Sequence, residues 1–531
     1  MPNTTNYSKF MNHTKPEIDF DLERLLFRRQ FLLGPKSFTP NQYWSSLQLL
    51  HGLHLSVHND LPFISTSQQG VTLTLMGCAI DPYRPQHNET DILQSLFINA
   101  LELNTLIDST QHLVGRWVII LQNARGTYLF TDPCGFRQVF YCSDDKQIWC
   151  ASQPELIKVS KQLRLNRNNE LMHFLLHPVH IQEESGWVGP ATLYENCFHL
   201  LPNHYLDTER VEQNRFYPRE PIFYKKVAEI VESACTILQG TMTALTARYN
   251  VALALTAGWD SRVLLAASKH VSESIQYFVY SGIIRGSNSI ATGNHPDIWV
   301  PESIAKKLGI RFVVKRPADQ LPGWFVSMLS NNVTCARILP KTHIIYNELV
   351  EGKNRINING NGSEICRNGF DEYCNLDAGS LSAEDLAALM FFKGGDMPLF
   401  AIKEIDNWRY GFDTRVVKSF NILDLLYWEQ RMGHWGAQYP AEQDIAVEEI
   451  SPFNCRLLIE TLLASPRHFR KAPDFVLYQE IIRNMWDESL AFPINPQPKR
   501  IVLKQKLRSC IPSSIVSLLK GLSKPKKLES C

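Results

Sequence analysis

The stretch Val251-Ala-Leu-Ala-Leu-Thr-Ala-Gly-Trp-Asp-Ser-Arg-Val-Leu-Leu-Ala-Ala267 decides the fold of the second half of the chain. It reads as an apolar strand, a loop of small residues and an apolar helix start, which together are typical of a phosphate-binding turn. Small residues allow the backbone N–H groups of Thr256, Ala257 and Gly258 to line an anion cavity, and the helix directs its positive end toward it. The common mononucleotide loop, Gly-x-x-x-x-Gly-Lys-Ser/Thr, occurs nowhere in the chain.

An acid lies inside this predicted anion site. Asp260 would repel a phosphate unless a divalent cation sat between them. The economical interpretation is a magnesium–pyrophosphate site in which Asp260 binds the metal and Ser261 hydrogen-bonds the phosphate. The alternative is that Asp260 or Ser261 only caps a helix in a βα unit. The loop taken alone favours neither interpretation.

The pattern around this loop predicts a doubly wound α/β half. Helices at 225–247, 261–269 and 300–308 alternate with strands at 251–255, 275–280 and 312–315, which implies a parallel sheet with its ligand site at the carboxyl ends of the strands. Residues 386–485 have helical periodicity. Strands at 71–76, 117–121 and 127–130 and a helix at 91–101 after Asn88 predict a layered α+β first half. The proline-punctuated segment 214–221 marks the boundary, which gives domains at 1–218 and 219–500 and a basic tail at 501–531.

Composition bounds the class of protein. The 531 residues are too many for one ordinary core, so two substantial domains are expected. The net charge of +1, from 54 basic and 53 acidic residues, argues against a general nucleic-acid binder. The 12 cysteines form no Cys-x-x-Cys pair and are expected to be reduced thiols of a cytoplasmic protein. Residues 1–20 lack an apolar targeting segment, and no later run has the length of a membrane span, so a soluble, non-secreted protein is expected.

A second acidic turn follows another predicted strand. Ile356-Asn-Ile-Asn359 runs into Gly360-Asn361-Gly362-Ser363-Glu364. Gly360 and Gly362 would allow the backbone to approach a nucleotide closely, and Glu364 would bring a second carboxylate to the magnesium. The alternative is an ordinary turn with a surface glutamate.

These motifs resemble those of the asparagine synthetase superfamily. The segment 256–261 is similar to its pyrophosphatase loop, Ser-Gly-Gly-x-Asp-Ser, and 360–364 to its Gly-x-Gly-Ser/Ala-Asp/Glu turn. Later in the chain, Ser451-Pro-Phe-Asn454 is similar to the family's Pro-Phe-Leu-Asp stretch. In the first half, the glutaminase-domain pattern is matched by Gly115-Arg-Trp117, Asp132-Pro-Cys-Gly-Phe-Arg137 and Tyr141. The closing hairpin of that domain is matched by Leu200-Leu-Pro-Asn-His-Tyr-Leu206. The resemblance implies an N-terminal domain of the Ntn type, with layered β-sheets, and a pyrophosphatase-loop synthetase domain.

The resemblance also implies ligands and residue roles. ATP and Mg²⁺ are the expected cofactors, with Asp260 and Glu364 as metal ligands and a late lysine, Lys499, as the catalytic cation; Lys504 and Lys506 are its rivals. Adenine is expected to stack beside Leu255 and Val279. The expected nucleotide-binding residues are Leu255, Thr256, Ala257, Gly258, Asp260, Ser261, Val279, Gly360, Asn361 and Gly362.

One departure from the family concerns the source of nitrogen. A class II glutaminase uses an N-terminal cysteine whose own α-amine acts as the base. Here Pro2 follows the first methionine, and the first cysteine is Cys78, inside an apolar strand. Glutamine hydrolysis is therefore expected to be absent or very weak.

The resulting hypothesis is an AMP-forming amide ligase. A carboxylate, on a small molecule or a peptide, would attack the α-phosphate of ATP, and ammonia or an amine would capture the acyl-adenylate; asparagine formation, lactam closure and sugar amidation all fit. Expected partners are a second copy of the chain or another biosynthetic enzyme, without nucleic acid. The alternatives are a pyrophosphatase-loop tRNA-modifying enzyme, which charge and cysteine spacing disfavour, and a non-catalytic ATP-binding scaffold, which the intact acids disfavour.

Arg262, the aromatic segment and the basic tail each have two interpretations, one functional and one purely structural. Arg262 contacts phosphate or is a solvated helix-start arginine. The aromatic segment 427–435 lines the acceptor pocket or packs a helical subdomain. The basic tail contacts an anionic lipid or the substrate, or is solvated.

Overall fold

The computed structural model describes residues 20–144, 147–182, 186–281, 295–337, 341–367, 369–370, 381–392, 396–410 and 420–496. The first half of the chain forms two antiparallel sheets, each of six strands. Strands β1 to β12 are Phe31–Gly34, Trp44–Gln48, His54–His58, Phe63–Gln68, Val71–Ile80, Val114–Asn123, Gly126–Thr131, Phe140–Asp144, Gln147–Ala151, Cys197–His199, His204–Asp207 and Glu212–Arg215. The strand orders are β10-β8-β9-β1-β3-β2 and β12-β11-β7-β6-β5-β4. Helices α1 to α6 are Leu22–Leu25, Glu89–Phe97, Leu103–Ser109, Pro154–Ser160, Asn169–Leu176 and Pro178–Gln182.

The two antiparallel sheets pack face to face, with helices on their outer faces. The alternation along β6 shows why: Val118 and Ile120 enter the core between the sheets, whereas Trp117 and Ile119 enter the core beneath α2 and α3. On the other side, α4 packs against the outer face of the first sheet. The predicted layered α+β half is confirmed: the three predicted strands are β5, β6 and β7 of the second sheet, and the first sheet is additional to the strands that the sequence predicted.

The second half contains a parallel sheet of five strands. Strands β13 to β17 are Val251–Ala254, Ile275–Tyr280, Phe312–Lys315, Ile356–Ile358 and Glu448–Ile450. Their order is β15-β14-β13-β16-β17, and each neighbouring pair is parallel, which confirms the doubly wound prediction. Helices α7 to α17 are Val227–Arg248, Trp259–Ala267, Pro296–Leu308, Gly323–Asn332, Thr342–Glu351, Ala383–Met390, Leu399–Tyr410, Ile422–Leu425, Ala437–Gln443, Arg456–Leu463 and Val476–Trp486. A π-helical stretch, Leu426–Gly436, joins α14 to α15, and a 3₁₀ turn spans Ser363–Arg367.

The predicted element bounds differ from the observed ones where capping residues act. Helix α9 begins at Pro296 rather than at 300, because proline suits the first helical position and the His295 ring accepts the Asp297 N–H. Helix α8 begins at Trp259 rather than at 261, directly after Gly258 at its N-cap. Strands β14 and β15 have their predicted bounds. In the part of the chain that is described, no helix combines the length and apolar character that crossing a membrane requires.

A buried ion-pair network joins the two halves. Arg116 and Arg137, from the first half, both bond the carboxylates of Asp444 and Glu448, at N–O distances of 2.7–3.1 Å. All four side chains are buried, and the shared carboxylates tie the second antiparallel sheet to the edge of the parallel sheet. Losing one member would leave charges without full compensation in a dry interface.

Candidate active site

The strand order places the two predicted acidic turns side by side. In the parallel sheet the chain first winds from β13 outward to β15 and then returns to β16 on the other side of β13. Neighbouring strands whose connections leave in opposite directions form the crevice where doubly wound sheets bind ligands. Asp260 follows β13 and Glu364 follows β16, so both acids lie at this crevice.

The loop after β13 has its backbone donors satisfied by side chains. The N–H of Thr256 donates to Ser261 Oγ at 3.1 Å, that of Gly258 to Thr256 Oγ1 at 3.1 Å, and that of Ala257 to Asp297 Oδ1 at 3.0 Å. These acceptors are hydroxyl and carboxylate oxygens, the groups for which a phosphate would substitute. Phosphate binding by the loop stays a prediction, and it requires the Asp297 carboxylate to leave Ala257.

Gly360 allows the two turns to approach each other. A Cβ at this position would lie 2.5 Å from the Asp260 Cβ, which is shorter than van der Waals contact allows. The backbone of the second turn therefore passes directly over Asp260. Gly362 has a φ of +90°, a backbone conformation that residues other than glycine rarely adopt. Gly360 therefore allows the two turns to meet and Gly362 allows the turn its backbone conformation, while the approach of either glycine to a nucleotide stays a prediction.

The Asp260 carboxylate is fixed by the second turn. Its Oδ1 accepts a short hydrogen bond from Ser363 Oγ, and its Oδ2 accepts from Arg367 Nη2 at 2.8 Å. Ser363 Oγ is in turn 2.8 Å from the Tyr478 hydroxyl. Asp260 is thus oriented toward the crevice by groups that the other strand supplies.

Glu364 is the second acid of the crevice. Its Oε2 is buried and finds no hydrogen-bond donor among the described residues. Burial raises the pKa of Glu364 to about 7; the negative charge of Asp260 adds to the rise, and the positive charge of Arg367 opposes it. The effect of Asp260 on Glu364 indicates that the two carboxylates lie within electrostatic reach of each other.

This donor set fits magnesium bound together with a nucleotide. Within the described residues, no three histidine, cysteine or acidic side chains gather into a metal site made of protein alone. Mg²⁺ is usually held by one or two carboxylates, with phosphate oxygens and water completing its octahedron. Asp260 and Glu364, whose Oε2 has no hydrogen-bond donor among the described residues, supply such a pair.

Arg367 is a site residue that the sequence analysis missed. Its guanidinium pairs with Asp260 and lies over the Phe475 ring, 5.3 Å from the centroid. The available indication was its spacing, since a 3₁₀ turn stacks residue i+3 beside residue i and Arg367 is three residues after Glu364. The ion pair between Arg367 and Asp260 forms only because the two turns approach each other in the fold, and spacing within one turn does not show that approach.

The other predicted nucleotide contacts differ in position. Leu255 is fully buried in the main core, and Val279 is buried against Ile298, so stacking of adenine on these side chains is not available without rearrangement. Asn361 is half-buried, and its carbonyl accepts from Ser451 Oγ at 2.6 Å.

Arg262 has neither of the roles suggested for it. It is fully buried and donates through Nη1 to the carbonyls of Ser489 and Phe492, at 2.7 and 3.1 Å. Burial lowers its pKa to about 10. The arginine holds the C-terminal segment against α8 instead of contacting phosphate or solvent.

That C-terminal segment returns to the loop just before the predicted catalytic lysine. The Asn495 N–H donates to the Ala257 carbonyl at 2.9 Å. Lys499 lies outside the described residues, as do Lys504, Lys506 and the basic tail.

The aromatic segment 427–435 packs the interior. It lies in the π-helical stretch, where Trp428 is fully buried and donates to the Pro133 carbonyl at 2.7 Å. His434 is buried beside His199, and burial holds its pKa well below the ordinary value. The packing interpretation is the one that these contacts support.

The motifs of the two halves meet at Asn454. Its side chain donates to Asp132 Oδ1 at 2.7 Å and to the Gly115 carbonyl at 2.6 Å, and it accepts from the Cys134 N–H. The late Ser451–Asn454 turn therefore connects the glycine-rich turn of the crevice with the first half.

Comparisons with known proteins identify no close relative. No protein-family model matches the chain, and no curated protein matches it either. Solved structures with weak likeness include a U34-tRNA thiolase from Methanococcus maripaludis (14% identity, 60% of this chain and 89% of that chain, TM-score 0.23). Others are a glutamine phosphoribosylpyrophosphate amidotransferase from B. subtilis complexed with ADP and GMP (10%, 65% and 73%, TM-score 0.22), and an allosteric regulatory enzyme of purine biosynthesis (10%, 59% and 75%, TM-score 0.24). TM-scores this low do not establish a common fold, so the fold assignment stands on the sheet topology of the chain itself.

Proposed function

We propose that the chain is an ATP- and Mg²⁺-dependent amide ligase of the asparagine synthetase type, which activates a carboxylate as an acyl-adenylate. The observation that carries the proposal is the convergence of Asp260 and Glu364, from neighbouring strands, at the crevice of the parallel sheet. Two acids beside a loop of small residues at a helix start suit a metal-bound polyphosphate, and they would repel a phosphate without the metal.

The residues present would serve positioning and charge stabilisation. Asp260 and Glu364 would hold the magnesium, which supplies neutralisation of the charge on the pyrophosphate leaving group. Ser363 and Arg367 keep the Asp260 carboxylate oriented, so this side chain would need little reorientation, whereas the Asp297 carboxylate must leave Ala257 for phosphate to bind the loop. Lys499 is proposed as the cation that reaches the developing charge.

The amine is proposed to come from ammonia or from an amino compound, without glutamine hydrolysis. Cys78 lies in β5, and burial raises the pKa of its thiol to about 12, so it cannot supply a thiolate nucleophile near neutral pH. Incubation of the protein with glutamine is expected to release no glutamate above background, and a brisk glutaminase rate would contradict this part of the proposal.

The main test measures ATP binding and adenylation separately. Calorimetry with MgATP reports binding, and AMP formation with a panel of carboxylates, using hydroxylamine as the amine, reports adenylation as a hydroxamate. We expect Asp260→Asn to weaken MgATP binding by about 100-fold and to abolish AMP formation. Asp108→Asn is the matched control, because Asp108 is also an arginine-paired aspartate, bonded to Arg219 at 3.0 Å, on the exposed surface.

Each outcome selects one function. MgATP binding with hydroxamate formation supports the ligase. Binding without AMP under any carboxylate supports the ATP-binding scaffold, and AMP formation only when tRNA is added supports the tRNA-modifying alternative. Equal binding by the wild type and Asp260→Asn would remove the assignment of the crevice.

A further inference from the structure

A cationic cleft lies at the amino ends of the parallel strands, whereas the candidate active site lies at their carboxyl ends. Two adjoining cavities, with room for solvent of about 300 and 220 Å³, share Arg29, Asp60 and Asn354 in their walls. Asn250 and Ile356, at the amino ends of β13 and β16, line the second cavity. Since each strand residue rises about 3.3 Å, four residues along β16 separate the cleft from Gly360 by about 13 Å. The cleft is therefore a separate place in the fold.

The walls of the cleft come from both halves of the chain. Arg24, Arg28 and Arg29 precede β1 in the first half, whereas Lys353 and Asn354 follow α11 in the second. A ligand held between them would bridge the two halves.

Positive charge in the cleft exceeds the acids that compensate it. Two acids line the two cavities, Asp60 and Glu448, against six cations, which are Arg24, Arg28, Arg29, Arg248, Lys353 and Arg355. Arg248 is paired with Glu89, and Lys353 and Arg355 are paired with Glu348 and Glu351, all of which lie outside the walls. Asp60 is shared by Arg24 and Arg28, and Glu448 is shared with Arg116 and Arg137. The described walls of the cleft therefore present more positive than negative charge to the cavities.

Arg29 shows the crowding most clearly. It is 8% exposed, its Nη1 donates to the Asp444 carbonyl at 2.6 Å, and its Nε is 3.8 Å from Glu448 Oε2, too far for a hydrogen bond. Burial and the neighbouring Arg28 lower its pKa to about 10. Its backbone has a φ of +56°, an uncommon conformation for a residue with a side chain. Arg29 thus combines an uncommon backbone conformation with a buried charge beside the like charge of Arg28, and such backbone conformations are concentrated at binding sites.

Asp60 cannot supply the missing negative charge. It already accepts from Arg24 at 2.8 Å and from Arg28 at 2.7 Å. Although burial opposes ionisation, the bonds from Arg24 and the charge of Arg28 keep the pKa of Asp60 well below its usual value. The carboxylate is therefore ionised and fully used by its two partners.

We propose that this cleft binds a phosphate group and that the bound phosphate stabilises the docking of the two halves. A phosphate near neutral pH carries up to two negative charges, which suits a lining in which cations outnumber acids, and guanidinium groups bind phosphate oxygens with two parallel hydrogen bonds. The group is a free phosphate or pyrophosphate ion, or the phosphate of a nucleotide. The site does not depend on the proposed ligase activity.

The test uses the two exposed cations of the cleft. Arg24 and Lys353 have side chains that are 49% and 60% exposed, so Arg24→Gln/Lys353→Gln removes two exposed charges of the cleft while Arg28 still pairs with Asp60. Arg125→Gln/Lys403→Gln is the matched control, since Arg125 and Lys403 are exposed cations paired with glutamates elsewhere on the surface. Thermal unfolding and calorimetry are measured with phosphate, pyrophosphate, AMP or succinate, at an ionic strength held constant with NaCl.

Phosphate is expected to raise the unfolding midpoint of the wild type and of the control variant, because a ligand that binds only the folded state stabilises it. The Arg24→Gln/Lys353→Gln variant is expected to bind phosphate about tenfold more weakly and to lose most of the shift. Phosphate binding at the candidate active site would be common to all variants and would not produce this difference. A stronger effect of AMP than of phosphate assigns the site to a nucleotide, and an equal or smaller one assigns it to the free ion. The proposal is overturned if the double variant keeps the full shift, if NaCl reproduces the shift, or if succinate matches phosphate.

Discussion

Replacing Gly360 with alanine tests whether the approach of the two acidic turns creates the site. The added Cβ would lie 2.5 Å from the Asp260 Cβ, whereas ordinary contacts are 3.4–4 Å, so the turns must separate by about 1 Å. Overpacking of this kind costs about 1–3 kcal/mol of folding free energy. The loss of function should be larger than the loss of stability. Metal–ligand distances stay within about 0.2 Å of their ordinary values, and displacing a reacting group by 1 Å lowers the rate by about 100-fold. We expect MgATP affinity to fall at least about tenfold and AMP formation about 100-fold.

The measurements are calorimetric titration with MgATP, the hydroxamate assay and thermal unfolding. Gly323→Ala is the matched control, because Gly323 begins α10 and a Cβ there has no neighbour within 4 Å. It should keep the affinity and the unfolding midpoint of the wild type. If Gly360→Ala binds MgATP as the wild type does, the close approach of the turns does not make the nucleotide site, and the reasoning from Asp260 and Glu364 is wrong.

Two further predictions follow from charge. Because the pKa of Glu364 is raised to about 7 and a metal binds the ionised form, MgATP affinity should rise with pH up to about 7 and then level off, falling by up to about tenfold for each pH unit below. Because Glu364 keeps its proton in the folded state but loses it in the unfolded state, the folded state becomes less stable as pH rises from 4.5 to 7. Glu364→Gln should therefore abolish the pH dependence of MgATP affinity and this contribution to the pH dependence of stability. Arg367→Gln should move the pH midpoint of MgATP binding upward, because the guanidinium lowers the pKa of Glu364; a pH-independent wild type would contradict this reasoning. Arg116→Met should lower the free energy of unfolding by about 3 kcal/mol, since Asp444 and Glu448 lose a buried partner, whereas Arg125→Met at the surface should leave the urea midpoint unchanged; equal midpoints would show that the network does not hold the halves together.

The parts of the fold that local sequence determines were predictable. Strands β14 and β15 have their predicted bounds because short β-branched and aromatic runs end at clear breaks, and α2 begins after Asn88 because the Asn88–Asp91 capping box fixes its start. The strand β17, Glu448–Ile450, was not separable from the surrounding helical pattern, since a three-residue strand has too little length to show a period. Its place at the sheet edge depends on pairing with β16, 90 residues earlier in the chain.

The site separates in the same way into a local and a non-local part. The loop and the glycine-rich turn are contiguous motifs, so their acids and small residues could be assigned from order and spacing. What Asp260 contacts could not be assigned, because Ser363 and Arg367 reach it only through the adjacency of β13 and β16. The burial of Arg262 was also beyond local sequence, because its partners, the carbonyls of Ser489 and Phe492, come from a segment more than 220 residues later in the chain. A motif thus identifies which groups are chemically suited to a ligand, and the strand order decides which of them can act on it together.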